Sequence, residues 1–101
     1  MAYRLEFGEE ADLDLHAAVH WYLDQYPGRE QRFLKAVGDC VDFILRAPLG
    51  AARFRGHYRQ LPLKSFPYFL VYDVEGDLVT ILRVFHMRRD PRTKIPRKRA
   101  K

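Results

Sequence analysis

Residues 58–91 (YRQLPLKSFPYFLVYDVEGDLVTILRVFHMRRDP) restrict the fold of this chain more than any other stretch. Phe66, Tyr68, Leu70, Tyr72 and Val74 alternate onto one face of an extended segment, and Phe69 and Val71 make the opposite face apolar as well. Residues 73–77 (DVEGD) supply turn chemistry, with Gly76 free to take a positive φ. Residues 78–85 (LVTILRVF) are β-branched or aromatic almost throughout, the pattern of a strand buried on both faces. The run ends in His86, Met87, Arg88, Arg89, Asp90 and Pro91, where apolar character gives way to charge. A buried strand that delivers a histidine and two arginines to a sheet edge marks the first place to look for function.

The rest of the chain predicts what covers this hairpin. Residues 2–7 alternate, with Tyr3, Leu5 and Phe7 on one face, and read as a short strand that Gly8 breaks. A helix starts at Glu9, with Glu9, Glu10 and Asp12 complementing its dipole. Ala11, Leu15, Ala18, Val19, Tyr22 and Tyr26 fall on one stripe, and Pro27-Gly28 stops the helix. A second helix over 29–46 carries Phe33, Val37, Cys40, Val41, Ile44 and Leu45 on its stripe, with Leu34 beside it. So short a connection makes the two helices antiparallel, and each must bury its stripe against the sheet. Residues 53–56 suggest an irregular short strand, and 58–63 another, in which Pro62 argues for an edge or a bulge. The expectation is an α+β fold: an N-terminal strand, an antiparallel helical hairpin, then a three- to four-stranded mainly antiparallel sheet. Residues 1–91 form one domain, and 92–101, with six basic residues, read as a mobile basic tail.

Charge is divided unevenly. Residues 1–50 hold five Lys/Arg against nine Asp/Glu, whereas 51–101 hold thirteen against four, giving the chain its net +5. A basic half implies an anionic partner, either nucleic acid or an acidic protein segment. There is no leader-like N-terminus and no apolar run long enough for a bilayer, so the cytoplasm is the expected location, with no membrane partner. Cys40 has no second cysteine to pair with and reads as a small buried hydrophobe.

No Gly-rich phosphate loop, serine nucleophile motif or paired-cysteine motif is present, and no cofactor is expected. His16 and His20 have a spacing that can hold zinc, with Asp12 completing the row, but a solvated helix face explains them more simply, and no metal is expected. His57, in a loop, is uninformative. His86 differs, because Arg88 and Arg89 sit beside it and neighbouring cations disfavour the charged imidazole. A neutral imidazole can serve as a base in RNA cleavage, which also needs cations on the phosphate. Arg59, Lys64, Arg83 and Arg88 are the candidates, provided the strands bring them together. The alternative is that His86 satisfies a backbone carbonyl and the arginines form a solvated edge.

Two elements within 58–91 carry a family resemblance. The Pro67-Tyr68-x-x-x-Tyr72 run and the Val84-x-His86-x-x-Arg89-Asp90 run, with the helices before them, resemble the RelE/ParE toxin superfamily of bacterial type II toxin–antitoxin systems over residues 3 to 91. The resemblance implies a small toxin and a cognate antitoxin partner, forming a hetero-oligomer. It leaves three activities open. RelE-like members cleave mRNA on the ribosome, which would make His86 and Arg88 catalytic and Arg59 and Lys64 RNA-binding. ParE-like members inhibit DNA gyrase and are not nucleases. A degenerate member would keep only antitoxin binding. In the nuclease branch an arginine commonly stands where this chain has Phe69, and the aromatic residue after the last strand has no counterpart here. That mixture leans towards the ParE-like side. For the antitoxin, the expected contacts are Arg83, Arg88 and Arg89.

Overall fold

The computed structural model describes residues 2–88, which form β1 (Arg4–Phe7), α1 (Glu9–Gln25), α2 (Arg29–Arg46), β2 (Ala52–Arg55), β3 (Tyr58–Pro62), β4 (Tyr68–Glu75) and β5 (Leu78–His86). The strands make one five-stranded sheet in the order β1-β5-β4-β3-β2. β1 runs parallel to β5, and every other pairing is antiparallel. Because β1 and β2 lie at opposite edges, the connection between them must cross four strand spacings, about 19 Å. The α1–α2 hairpin makes that crossing on one face of the sheet, as an α+β layering requires. The basic tail expected over 92–101, and Arg89, lie outside the described residues.

Local chemistry accounts for the element ends. Gly8 caps α1 without a side-chain hydrogen bond, and its own N–H donates to the Ile81 carbonyl at 2.8 Å. A Cβ there would meet that oxygen at 3.3 Å, so glycine permits the close approach of the first helical turn to β5. Gly28 takes φ 97 between the helices. Gly76 takes φ 62 in the two-residue loop between Glu75 and Leu78, the sign that tight hairpin turns need. The turn is therefore shorter than 73–77, and Asp73 and Glu75 belong to β4.

Ala11, Ala18 and Tyr22 of α1 and Phe33, Val37, Cys40 and Ile44 of α2 pack on Leu70, Tyr72, Val79, Ile81 and Val84 of the sheet. Cys40 is buried, as its place on the stripe predicts. Tyr26 departs from expectation: the helix ends at Gln25, so Tyr26 leaves the stripe and stands 52% exposed. Pro62 sits in an interior strand, but β2 pairs only with residues 58–60 of β3, so the missing N–H falls where the ladder has already ended. The Tyr72 hydroxyl donates to the Pro48 carbonyl at 2.6 Å and ties the centre of the sheet to the segment after α2.

One irregularity sets the side-chain directions on β5. Val71 pairs with Arg83 and Tyr72 with Ile81, so Leu82 is an extra residue. Before it, Val79 and Ile81 face the helices; after it, Val84 does, and His86 stands opposite Tyr68 on the same side.

Candidate functional site

β1 covers the outer edge of β5 only from Leu78 to Ile81. Beyond that, Val84 would present an unpaired N–H at the edge, and α1 supplies its partner. Asp14 Oδ2 accepts from the Val84 N–H at 2.9 Å and from Arg83 Nε at 2.6 Å, while Asp14 Oδ1 accepts from an Arg83 terminal nitrogen at 2.9 Å. Both side chains are only 12% exposed. The guanidinium lies over the Phe85 ring, 4.5 Å from its centroid, and reaches round the strand edge to the carboxylate. Its hydrogen bond to Asp14 raises the Arg83 pKa further, so the guanidinium stays charged.

Next to this pair a groove of 670 Å³ opens between α1 and the end of the β4–β5 hairpin. Tyr22, Tyr68, Val84 and His86 line it, with Trp21, Tyr26 and Arg29 at its rim. Trp21 is half exposed and meets the Tyr22 ring edge-on at 5.1 Å and the Tyr26 ring at 5.8 Å. His86 packs edge-on against Tyr68 at 5.1 Å. Its Nδ1 accepts from the Arg88 N–H at 3.2 Å, so in the neutral ring the proton sits on Nε2. The Met87 N–H donates to the Pro67 carbonyl, which holds the strand end in place.

The candidate cations do not gather around His86. Arg59 shares a register position with Tyr72 and donates to the Ala51 carbonyl at 2.8 Å. Lys64 lines a separate cleft with residues of α2. Arg83, expected to stand ready for an anionic partner, is matched by Asp14. Arg88 is exposed next to His86. His16 and His20 are exposed on α1, where the His16 ring donates to the Asp12 carbonyl. Among the described residues, no group of three or more His, Cys, Asp or Glu could hold a metal ion.

Two acidic residues take part in ways the sequence pattern does not single out, Asp14 on a helix and Asp73 within the stretch read as a turn. Asp14 lies on the α1 stripe itself, three residues after Ala11 and four before Ala18, and a charge in that position calls for a buried partner. Asp73, 3% exposed, has its Oδ1 3.5 Å from His57 Nε2, so His57 is more than an arbitrary loop residue.

The helical hairpin on a mixed five-stranded sheet is the RelE/ParE-like α+β fold. A solved chromosomal ParDE toxin–antitoxin system from P. aeruginosa matches it at a TM-score of 0.75 and 22% identity, covering 85% of this chain and 97% of that one. The toxin–antitoxin complex RelBE2 from Mycobacterium tuberculosis matches at 0.57 and 26%, covering 85% and 99%, and an E. coli RelE mutant in the free state at 0.54 and 27%, covering 87% and 86%. Residues 5–91 match the family described as the ParE toxin of type II toxin–antitoxin system, parDE. Toxin ParE2 of M. tuberculosis is 30% identical over 92 residues, spanning 90% of this chain and 88% of that toxin. The chain belongs to the ParE toxin family, and is a toxin of a type II toxin–antitoxin system within the RelE/ParE superfamily.

Proposed function

We propose that this toxin is a ParE-like growth inhibitor that binds a protein target such as DNA gyrase, and that a cognate antitoxin neutralises it by laying an amphipathic segment in the aromatic groove. The observation that carries this reading is where the cations stand. Transition-state stabilisation in RNA cleavage needs preorganised positive groups aimed at the phosphate beside the base. Here Arg83 is compensated by Asp14, Arg59 is spent on a backbone carbonyl, and Lys64 faces another cleft. His86 instead looks into a groove of tyrosines with a half-exposed tryptophan at its rim. Large amphipathic rings around a concave apolar surface are the usual anchors of a polypeptide interface.

Arg88 supplies positive charge beside that groove for acidic residues of the antitoxin, with Arg83 set behind it against Asp14, and Arg89 is proposed as a further antitoxin contact. The product is a hetero-oligomer of the kind that the M. tuberculosis RelBE2 complex represents. One observation favours a RelE-like ribosome-dependent endoribonuclease instead: His86, Arg29 and the adjacent Arg88 lie at one groove.

Brief induction in a bacterial host, with growth followed and transcript 5′ ends mapped, separates the readings. The expected result is growth arrest with intact transcripts, relieved by co-expressing the antitoxin encoded beside the toxin. New 5′ ends within translated codons would replace this reading with the nuclease. Unimpaired growth would leave only an antitoxin-binding, non-toxic member.

A further inference from the structure

A second concavity, of 440 Å³, lies between the first half of α2 and the loop that joins β3 to β4. Arg29, Arg32 and Lys35 line it from the helix, and Lys64 and Ser65 from the loop. Asp39 is the one carboxylate among these lining residues, and Lys35 Nζ already contacts both of its oxygens, at 3.4 and 3.2 Å. Arg32 and Lys64 are exposed. The loop is held in a defined shape: Ser65 takes φ 71, the sole non-glycine positive φ among the described residues, and Phe66 anchors it by packing edge-on against Tyr22 and Phe33 at 5.4 Å each. A non-glycine residue in that conformation costs about 1 kcal/mol or more, which the anchored loop sustains.

Four like charges from two elements on one concave surface repel one another, and a merely solvated face would spread them out. We infer that this cleft binds the phosphodiester backbone of a nucleic acid, a contact separate from the aromatic groove and independent of base sequence. Three helical residues advance about 4.5 Å, so Arg29, Arg32 and Lys35 form a ladder roughly 9 Å long. A duplex strand carries a phosphate about every 3.4 Å along its axis, so two or three successive phosphates fall within that length. The charge of a polynucleotide is on every unit of its backbone, where both walls of the cleft can reach it. An extended acidic peptide turns alternate carboxylates to opposite sides and offers the cleft only half of its charge. The Ser65 hydroxyl adds a neutral donor of the kind that commonly accompanies Arg and Lys at phosphates.

The test uses the full chain and two fluorescein-labelled probes of random sequence, a short DNA duplex and a single-stranded RNA. Affinity is measured between about 50 and 200 mM salt. The variant is Arg32→Gln/Lys35→Gln/Lys64→Gln, three exposed positions, with circular dichroism to confirm its fold; Arg29 is kept because it also lines the aromatic groove. Removing three phosphate contacts should flatten the dependence of log affinity on log salt by roughly 2 to 3. Arg53→Gln, which removes an exposed cation outside the cleft, should change the slope far less. The tighter of the two probes names the source of the phosphates. The inference is overturned if wild-type protein binds neither probe, or if the triple variant keeps the wild-type slope. It also falls if polyglutamate binds the wild-type protein as tightly as the oligonucleotides and loses as much in the variant, since the cleft would then be a site for acidic polypeptide.

Discussion

The two halves of the outer edge of β5 are closed by different means. From Leu78 to Ile81 the closure is a backbone ladder with β1, distributed over four paired positions. Around Val84 it is a single carboxylate, Asp14, that satisfies one N–H and one guanidinium together. The ladder is insensitive to which side chains it carries, whereas the second half depends on two residues that lie 69 positions apart in the sequence. The ladder also fills the edge with a strand, whereas the carboxylate leaves room beside it, and that room is the aromatic groove. Stability is thus concentrated at the point where the molecule keeps a surface open for partners.

The comparison breaks most visibly at Asp14. Asp14→Ala leaves Arg83 nearly buried without its counter-charge and the Val84 N–H without an acceptor, so urea unfolding should show a loss of about 3 kcal/mol or more. Replacing both partners with apolar residues, Asp14→Leu with Arg83→Met, should recover the part due to the unpaired charge, leaving about 1 kcal/mol or more from the Val84 N–H that still lacks an acceptor. A single variant no worse than the double one would mean that the pair is not what closes this half.

Trp21→Ala tests the open side of the same edge. The side chain is half exposed, so folding should be little changed, but binding of the adjacent-frame antitoxin should weaken by about 2 kcal/mol, or some thirtyfold, in calorimetry. Undiminished binding would move the antitoxin away from the groove. On the ladder side, Leu5→Ala removes a partly buried side chain and should cost about 1 to 2 kcal/mol, clearly less than Asp14→Ala.

The effect that is absent at neutral pH comes from alkali. Burial pushes the Cys40 thiol from 9.0 up to about 12, while Arg83 is held charged by Asp14. Below pH 9 the thiol is neutral in both folded and unfolded chains and contributes no slope. As pH rises from about 9 towards 12, the unfolded chain sheds a proton that the folded chain retains, so stability falls by at most about 1.4 kcal/mol per pH unit. Cys40→Ala should flatten the first part of that alkaline loss. What remains should begin above pH 10, where the buried Tyr22 and Tyr72, both shifted upward, take over. If the loss were identical in Cys40→Ala, its origin would lie outside the α2 core.

Much of this fold is legible in the sequence because its signals are local. The alternation from Phe66 to Val74, Pro27-Gly28 between the helices and Gly76 in the hairpin turn each fix an element from a few adjacent residues. Long-range consequences are less legible. The parallel pairing of β1 with β5 follows from the helical hairpin crossing the sheet, which no window of residues records. The α1 stripe carried on to Tyr26 runs past the end of the helix at Gln25. The candidate site was legible as a location, since His86 and Arg88 do stand at the strand end, but not as a composition. Arg59, Lys64 and Arg83 are each claimed by a neighbour or a cleft that only the tertiary arrangement brings near. Asp14 was the most readable of the missed residues, being a charge on an apolar stripe.

The extra residue at Leu82 gives the final stretch of β5 a reading frame of its own. In a strand, outward and inward positions strictly alternate, so one added or deleted residue exchanges them all downstream. Were Leu82 paired as an ordinary strand residue instead of bulged, the composition of the strand would be unchanged while its last four residues turned over. Phe85 would look into the groove, and Val84 and His86 would be sent to the far side of the sheet. What a partner meets on this surface is thus written as much in the parity of the strand as in the identity of its side chains.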